Sequence, residues 1–174
     1  MAVPAMLLSC RDERIKTAVD KYFRERDRQV KVVYNVLGDG IHWKICYNEK
    51  LRRYFLKDIL IAFTRYDVNL IYLVAHEDCV VYGGSAAFKS SRDEASALHV
   101  DLWRAKRLIE EAYRNKECLG HEIKLLTVIK TSDDWQVHEL TEEQMRVCEG
   151  TSFGFINSRA KRRMNRRHAF VKNS

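Results

Sequence analysis

The chain has 174 residues, 46% apolar and 32% charged, with one proline and seven glycines. That is enough for one domain with a substantial core, and it is not the composition of a disordered or fibrous chain. No apolar run approaches the ~20 residues of a membrane span, and Met1 to Met6 lacks the basic start of a signal peptide, so a cytoplasmic protein with no membrane partner is expected. The net charge of +7 sits in residues 151–174, which hold seven Lys or Arg and no acid, while the other 24 basic residues balance 24 acidic ones.

In chain order, "AMLLSC" (5–10) is an apolar run of strand length. Ile15, Ala18, Val19, Tyr22 and Phe23 follow at helical spacing and predict a helix over 13–25. "VKVVYNVLG" (30–38) is β-branched and closes on "GDG", which reads as a second strand and a tight turn. Leu51, Phe55, Ile59, Ala62 and Tyr66 share one face of a helix over 48–66. "VNLIYLVAH" (68–76) is apolar without alternation, the pattern of a strand covered on both faces, and it ends on His76.

A long amphipathic helix over 91–115 carries Ala95, Leu98, Leu102, Ala105, Ile109 and Ala112, with Ser90 or Ser91 as its N-cap. Two strands, 121–130 and 135–140, flank "TSDD" at hairpin separation, so the last strand is expected to be antiparallel. The alternation predicts an α/β fold: a mainly parallel doubly wound sheet in the order 2-1-3-4, with an antiparallel edge strand and helices on both faces. Residues 1–150 form the expected domain and 151–174 a basic tail.

In that order strands one and three are neighbours, and a crevice opens beyond their carboxyl ends. Cys10 ends the first and His76 the third, so a separation of 66 residues becomes proximity. His76 and Cys79 form an H-x-x-C pair that one turn can bring to a single metal. Two thiolates and an imidazole suit Zn(II), and three protein ligands leave the fourth position that a catalytic site needs. Zinc lowers the pKa of a bound water toward neutrality and gives a hydroxide able to attack an electrophilic carbon. Asp12 could accept the hydrogen bond of that hydroxide, and Arg14 could pair with Asp12 and hold it ionised.

"SCRDERI" followed by "LVAHEDC" resembles the Cys-x-Asp-x-Arg and His-x-x-Cys signatures of the beta-class carbonic anhydrases. The likeness runs over about residues 5–140, in the order strand, helix, strand, helix, strand, helix, hairpin, and is to a compact, N-terminally short member. Two departures stand beside it: no Gln precedes Cys10, and Val80 follows Cys79 where the family usually has Gly. The resemblance implies that Cys10, His76 and Cys79 bind one zinc ion per chain, with Asp12 and Arg14 as the catalytic dyad. In that family the Asp can also enter as a fourth ligand when the Arg releases it. The implied reaction is reversible hydration of carbon dioxide to bicarbonate, in a homodimer or a dimer of dimers. Hydrolysis of carbonyl sulfide or carbon disulfide on the same site is the neighbouring alternative.

The remaining cysteines, Cys46, Cys118 and Cys148, read as packing residues or free thiols, because five scattered cysteines are no disulfide framework. His42, His99, His121 and His138 read as surface or satisfied core residues, with nothing to select a proton shuttle among them; Asp78 could orient the metal loop but reads first as a solvated carboxylate, and Tyr54, Phe55 and Phe63 read as core. "SRAKRRMNRRHAF" places six basic residues within 159–168. A non-catalytic zinc module that binds nucleic acid or another polyanion through this tail is the expectation from a different class.

Overall fold

The computed structural model describes residues 2–114 and 121–150. The basic tail, 151–174, and Cys118 lie outside the described residues. The elements in order are β1 (Val3–Ser9), α1 (Glu13–Glu25), β2 (Val30–Leu37), α2 (Ile41–Tyr47), α3 (Glu49–Tyr66), β3 (Leu70–His76), α4 (Ser91–Tyr113), β4 (Glu122–Lys130), β5 (Trp135–Glu139) and α5 (Glu142–Gly150). They build one five-stranded sheet in the order β2-β1-β3-β4-β5. Every pair is parallel except β4 with β5, which is the antiparallel edge expected from the hairpin spacing.

The central strand explains its own composition. All seven residues of β3 are buried, because β1 and β4 flank it and helices cover it, so no position calls for a polar side chain. By contrast β2, at the sheet edge, is only partly covered, and Leu37 at its end is 53% exposed. On one face α1 packs against β4 and β5, with Phe23 edge-on to Tyr72 of β3. On the other, α2 packs against α3 and α4, while α3 lies on β1 and β2, and α4 on β3 and β4.

Helix starts follow local chemistry. Asp12 caps α1, Asn48 caps α3 and Ser90 caps α4, each accepting a backbone N–H of the first turn. The short helix α2 is absent from the sequence reading, which stopped at the "GDG" turn. It enters from Gly40 in the left-handed region, φ 55°, where a Cβ would meet the Val81 side chain at 2.8 Å. Its far end is closed by Arg52, which donates to the carbonyls of Ile45 and Cys46 at 2.6 and 3.0 Å.

A buried polar cluster ties α2 to α4. Asp101, 3% exposed, accepts the Tyr47 hydroxyl at 2.7 Å and the Tyr82 hydroxyl at 2.5 Å, and the Cys46 thiol donates to its backbone carbonyl at 3.3 Å. Burial pushes the Asp101 carboxyl above its usual range, while the Tyr82 and Tyr47 hydroxyls and Arg104 pull it back. Tyr82 belongs to a single 3₁₀ turn, Val80–Tyr82, just after Cys79, so the cluster braces that segment from behind. The aromatic stripe on α3 is core at Phe55 and Phe63 but not at Tyr54, which is 57% exposed. Adjacent helical residues point about 100° apart and cannot share one face.

Candidate metal centre

Strands β1 and β3 are hydrogen-bonded neighbours, and the crossovers leaving them run to opposite sides of the sheet. Their carboxyl ends flank the switch point where ligands bind in such sheets. Cys10 is the first residue past β1 and His76 the last of β3. A two-residue turn then returns the chain to Cys79. The ligand atoms of Cys10, His76 and Cys79 all lie within 4.8 Å of one another, and all three residues are buried. The structure therefore brings together the three residues the sequence singled out.

Their protonation states bear on a metal. The Nδ1 of His76 is 2.7 Å from the Glu77 carbonyl. A carbonyl can only accept, so Nδ1 carries a proton and Nε2 is the nitrogen left to face the thiols, where Cys10 pulls the His76 pKa up against burial. That Nε2 is buried and has no hydrogen-bond partner. The Cys10 thiol is held well below its usual range, first by the hydrogen bond with Cys79, then by His76 and the backbone N–H groups of Gly40 and Asp12, while burial opposes. Cys79 moves up, because Cys10 takes the charge and Cys79 supplies the proton. Two buried thiols within 4.8 Å of an imidazole nitrogen that has no hydrogen-bond partner form a donor set that fits a borderline-soft divalent cation such as Zn(II).

The turn between His76 and Cys79 is held from all sides. Glu77 donates its N–H to Val128 at 3.0 Å and accepts that of Lys130 at 2.9 Å. Asp78 sits in the left-handed region, φ 55°, and donates its N–H to the buried Glu94 of α4 at 2.6 Å. The Cys79 carbonyl accepts from Tyr82 and Gly84, both at 3.0 Å.

Asp12 and Arg14 stand beside this cluster. Arg14 donates from Nε to Asp12 Oδ1 at 3.0 Å and from Nη2 to Oδ2 at 2.6 Å. The Asp12 carboxyl is held below the usual range, chiefly by these hydrogen bonds from Arg14. Its Oδ2 is 4.0 Å from His76 Nε2, so the carboxylate borders the ligand cluster. Arg11 turns away and pairs with Asp39 at 3.6 Å.

Two neighbours add to the site, of which only Asp78 had a signal in the sequence. Asp78, read as a solvated carboxylate, instead accepts from Arg14 Nη1 at 2.7 Å. Its location between His76 and Cys79 was the only available signal. Trp135 lies under the Arg14 guanidinium, 5.4 Å from ring centroid to Cζ, and edge-on to His76 at 6.3 Å. It reaches the site through the edge strand, and nothing local in "DDWQ" announces that. His42 is neither a surface residue nor a satisfied one: it is buried, both ring nitrogens lack hydrogen-bond partners, and it stacks on Tyr82 at 5.5 Å. Burial pushes its pKa down to about 3, so it is neutral. A groove of about 660 Å³ runs between α1 and β5 past Tyr22, Asp27, Lys124 and Trp135, and neither thiol of the cluster lines it.

A Cys, His, Cys cluster bordered by an Asp–Arg pair, at the switch point of a mainly parallel sheet, defines a candidate metal centre of the open, three-ligand kind. Residues 3–129 match the family model described as "Putative carbonic anhydrase", and the chain belongs to that family. Among solved structures, the β-carbonic anhydrase CafA of the fungal pathogen Aspergillus fumigatus is 12% identical, over 84% of this chain and 82% of its own, with a TM-score of 0.48. CafD of the same fungus, also a β-carbonic anhydrase, is 11% identical, over 80% of this chain and 90% of its own, with a TM-score of 0.42. No curated protein matches the chain. Among the described residues no helix is long and apolar enough to cross a membrane.

Proposed function

We propose that the chain is a zinc-dependent lyase that hydrates carbon dioxide reversibly to bicarbonate. The observation that carries this reading is the convergence of the Cys10, His76 and Cys79 ligand atoms within 4.8 Å, with the Asp12 carboxylate 4.0 Å from His76 Nε2. Family membership supports the same reaction class.

Cys10, His76 and Cys79 would hold one zinc ion. When bound, zinc supplies a nucleophile at neutral pH by lowering the pKa of a coordinated water to about 7. Cys10 enters as a thiolate, already favoured by its hydrogen bonds. Cys79 would be the second thiolate ligand, and its binding would release its thiol proton. His76 offers Nε2, its ring orientation fixed through Nδ1 by the Glu77 carbonyl.

Asp12, ionised across the neutral range, accepts a hydrogen bond from the reacting water and so aims its lone pair at the substrate carbon. Arg14 occupies both Asp12 oxygens and keeps the carboxylate charged and in place. Trp135 closes the side of the site where His76 and Arg14 meet. On this reading residues 1–150 are the catalytic domain, and a homodimer or dimer of dimers in the cytoplasm, where thiols stay reduced, is the working form.

Stopped-flow hydration of carbon dioxide by the zinc-loaded chain tests the proposal. Rates well above buffer at neutral and mildly alkaline pH are expected. Buffer-level rates from a chain shown to hold one zinc would overturn it.

A further inference from the structure

Arg14 bridges two carboxylates rather than one. Besides Asp12, its Nη1 donates to Asp78 Oδ2 at 2.7 Å and its Nη2 to the Asp78 backbone carbonyl at 3.2 Å. The Arg14 side chain is 47% exposed. An exposed arginine held by one carboxylate gains little net free energy and keeps much of its rotamer freedom. A second carboxylate and a carbonyl, both fixed, change that.

Asp78 is itself fixed. Its N–H is tied to Glu94 at 2.6 Å and its Oδ1 accepts the Ser85 N–H at 3.1 Å, leaving Oδ2 for Arg14. Its φ of 55° is a region that Asp tolerates better than most residues. Gly84 leaves room for the carboxylate: a Cβ there would lie 2.9 Å from Asp78 Oδ1. Four contacts from three separate segments therefore converge on Asp78.

We propose that Asp78 is a positioning residue: by anchoring Arg14 it keeps Asp12 in the ion pair, and without it Asp12 turns toward the cluster of Cys10, His76 and Cys79. The inference rests on the reading of those three as a metal site. Asp12 Oδ2 is already 4.0 Å from His76 Nε2, so a change of side-chain torsion is enough to bring it among the ligands. Asp78 touches neither substrate nor metal on this account and acts only through Arg14.

The test uses the full chain loaded with cobalt(II), whose visible d–d bands report the coordination shell. Asp78→Asn keeps the shape, the tolerance for φ 55° and the acceptor for Ser85, but removes the charge facing Arg14 Nη1. Asp78→Gly serves if that variant folds poorly. The cobalt bands are expected to shift in Asp78→Asn, and the shift is expected to vanish when Asp12→Asn is present in both members of the comparison. Unshifted bands in the single variant would overturn the proposal. So would an equal shift with and without Asp12, the mark of a purely structural disturbance of the loop. Absence of cobalt bands in the unmodified chain would refute the metal site itself, a distinguishable result, and the inference with it.

Discussion

Cys46 and Cys10 are both buried thiols, and their surroundings differ in whether the protein alone completes them. Cys46 donates to the Asp101 carbonyl at 3.3 Å, and both carboxylate oxygens of Asp101 accept tyrosine hydroxyls. Burial pushes the Cys46 thiol above its usual range. Cys10 instead lies within 4.8 Å of the Cys79 thiol and the His76 ring nitrogen, which has no hydrogen-bond partner, and its pKa moves the other way. A polar cluster satisfied by its own members stabilises the fold, whereas a buried set of good ligand atoms left incomplete points to something it binds.

Breaking each cluster in turn sharpens that contrast. Cys10→Ser or Cys79→Ser is expected to remove nearly all bound zinc, measured by elemental analysis, and to bring hydration to the buffer rate. Cys46→Ala is expected to leave zinc stoichiometry unchanged and to cost only about 1 to 2 kcal/mol in urea unfolding. Loss of zinc in the Cys46 variant would break the comparison.

Next in size, Asp12→Ala or Arg14→Leu is expected to retain zinc and to lower turnover by roughly 10- to 100-fold, the range for partners that orient a metal site. Asp12→Ala is also expected to cost about 1 kcal/mol in thermal or urea unfolding, because Asp12 caps α1.

On the satisfied side, Asp101→Ala strands two tyrosine hydroxyls among buried atoms. It is expected to destabilise the chain by about 2 to 3 kcal/mol in urea unfolding with metal content unaffected. A zinc deficit would show that bracing of the Val80–Tyr82 turn reaches the ligands.

The smallest effect concerns pH. The Asp12 carboxyl is depressed, so its stabilisation is complete above its unfolded value near ~4 and is lost as the pH falls below that through the folded value. The Asp101 carboxyl is raised, so its ionisation costs stability at neutral pH, and that cost fades as the pH drops toward ~4. Urea unfolding across this range should lose the acid-side gain in Asp101→Asn and the loss below it in Asp12→Asn.

The sheet order and the long helices were legible because each rests on a pattern within one segment: seven buried residues in β3, and one buried stripe on each of α1 and α4. The proximity of Cys10, His76 and Cys79 was legible because the doubly wound order makes the ends of β1 and β3 neighbours. What escaped depends on partners far along the chain. The helix α2 is only seven residues long and is held by Asp101 of α4 and by Arg52, so its own sequence carries little periodic signal. Asp78 finds its meaning in Arg14, 64 residues away, and Trp135 in the way the edge strand folds back. Tyr54 departs from the core expectation because neighbours in sequence lie about 100° apart around a helix, so Phe55 faces inward while Tyr54 is exposed.

X-ray absorption at the zinc edge of the purified chain reads the proposed coordination itself. Two sulfurs at about 2.3 Å and one imidazole nitrogen at about 2.0 Å, completed by one light atom, are expected. A shell without sulfur, a shell of four sulfurs, or a chain that binds no zinc would contradict it.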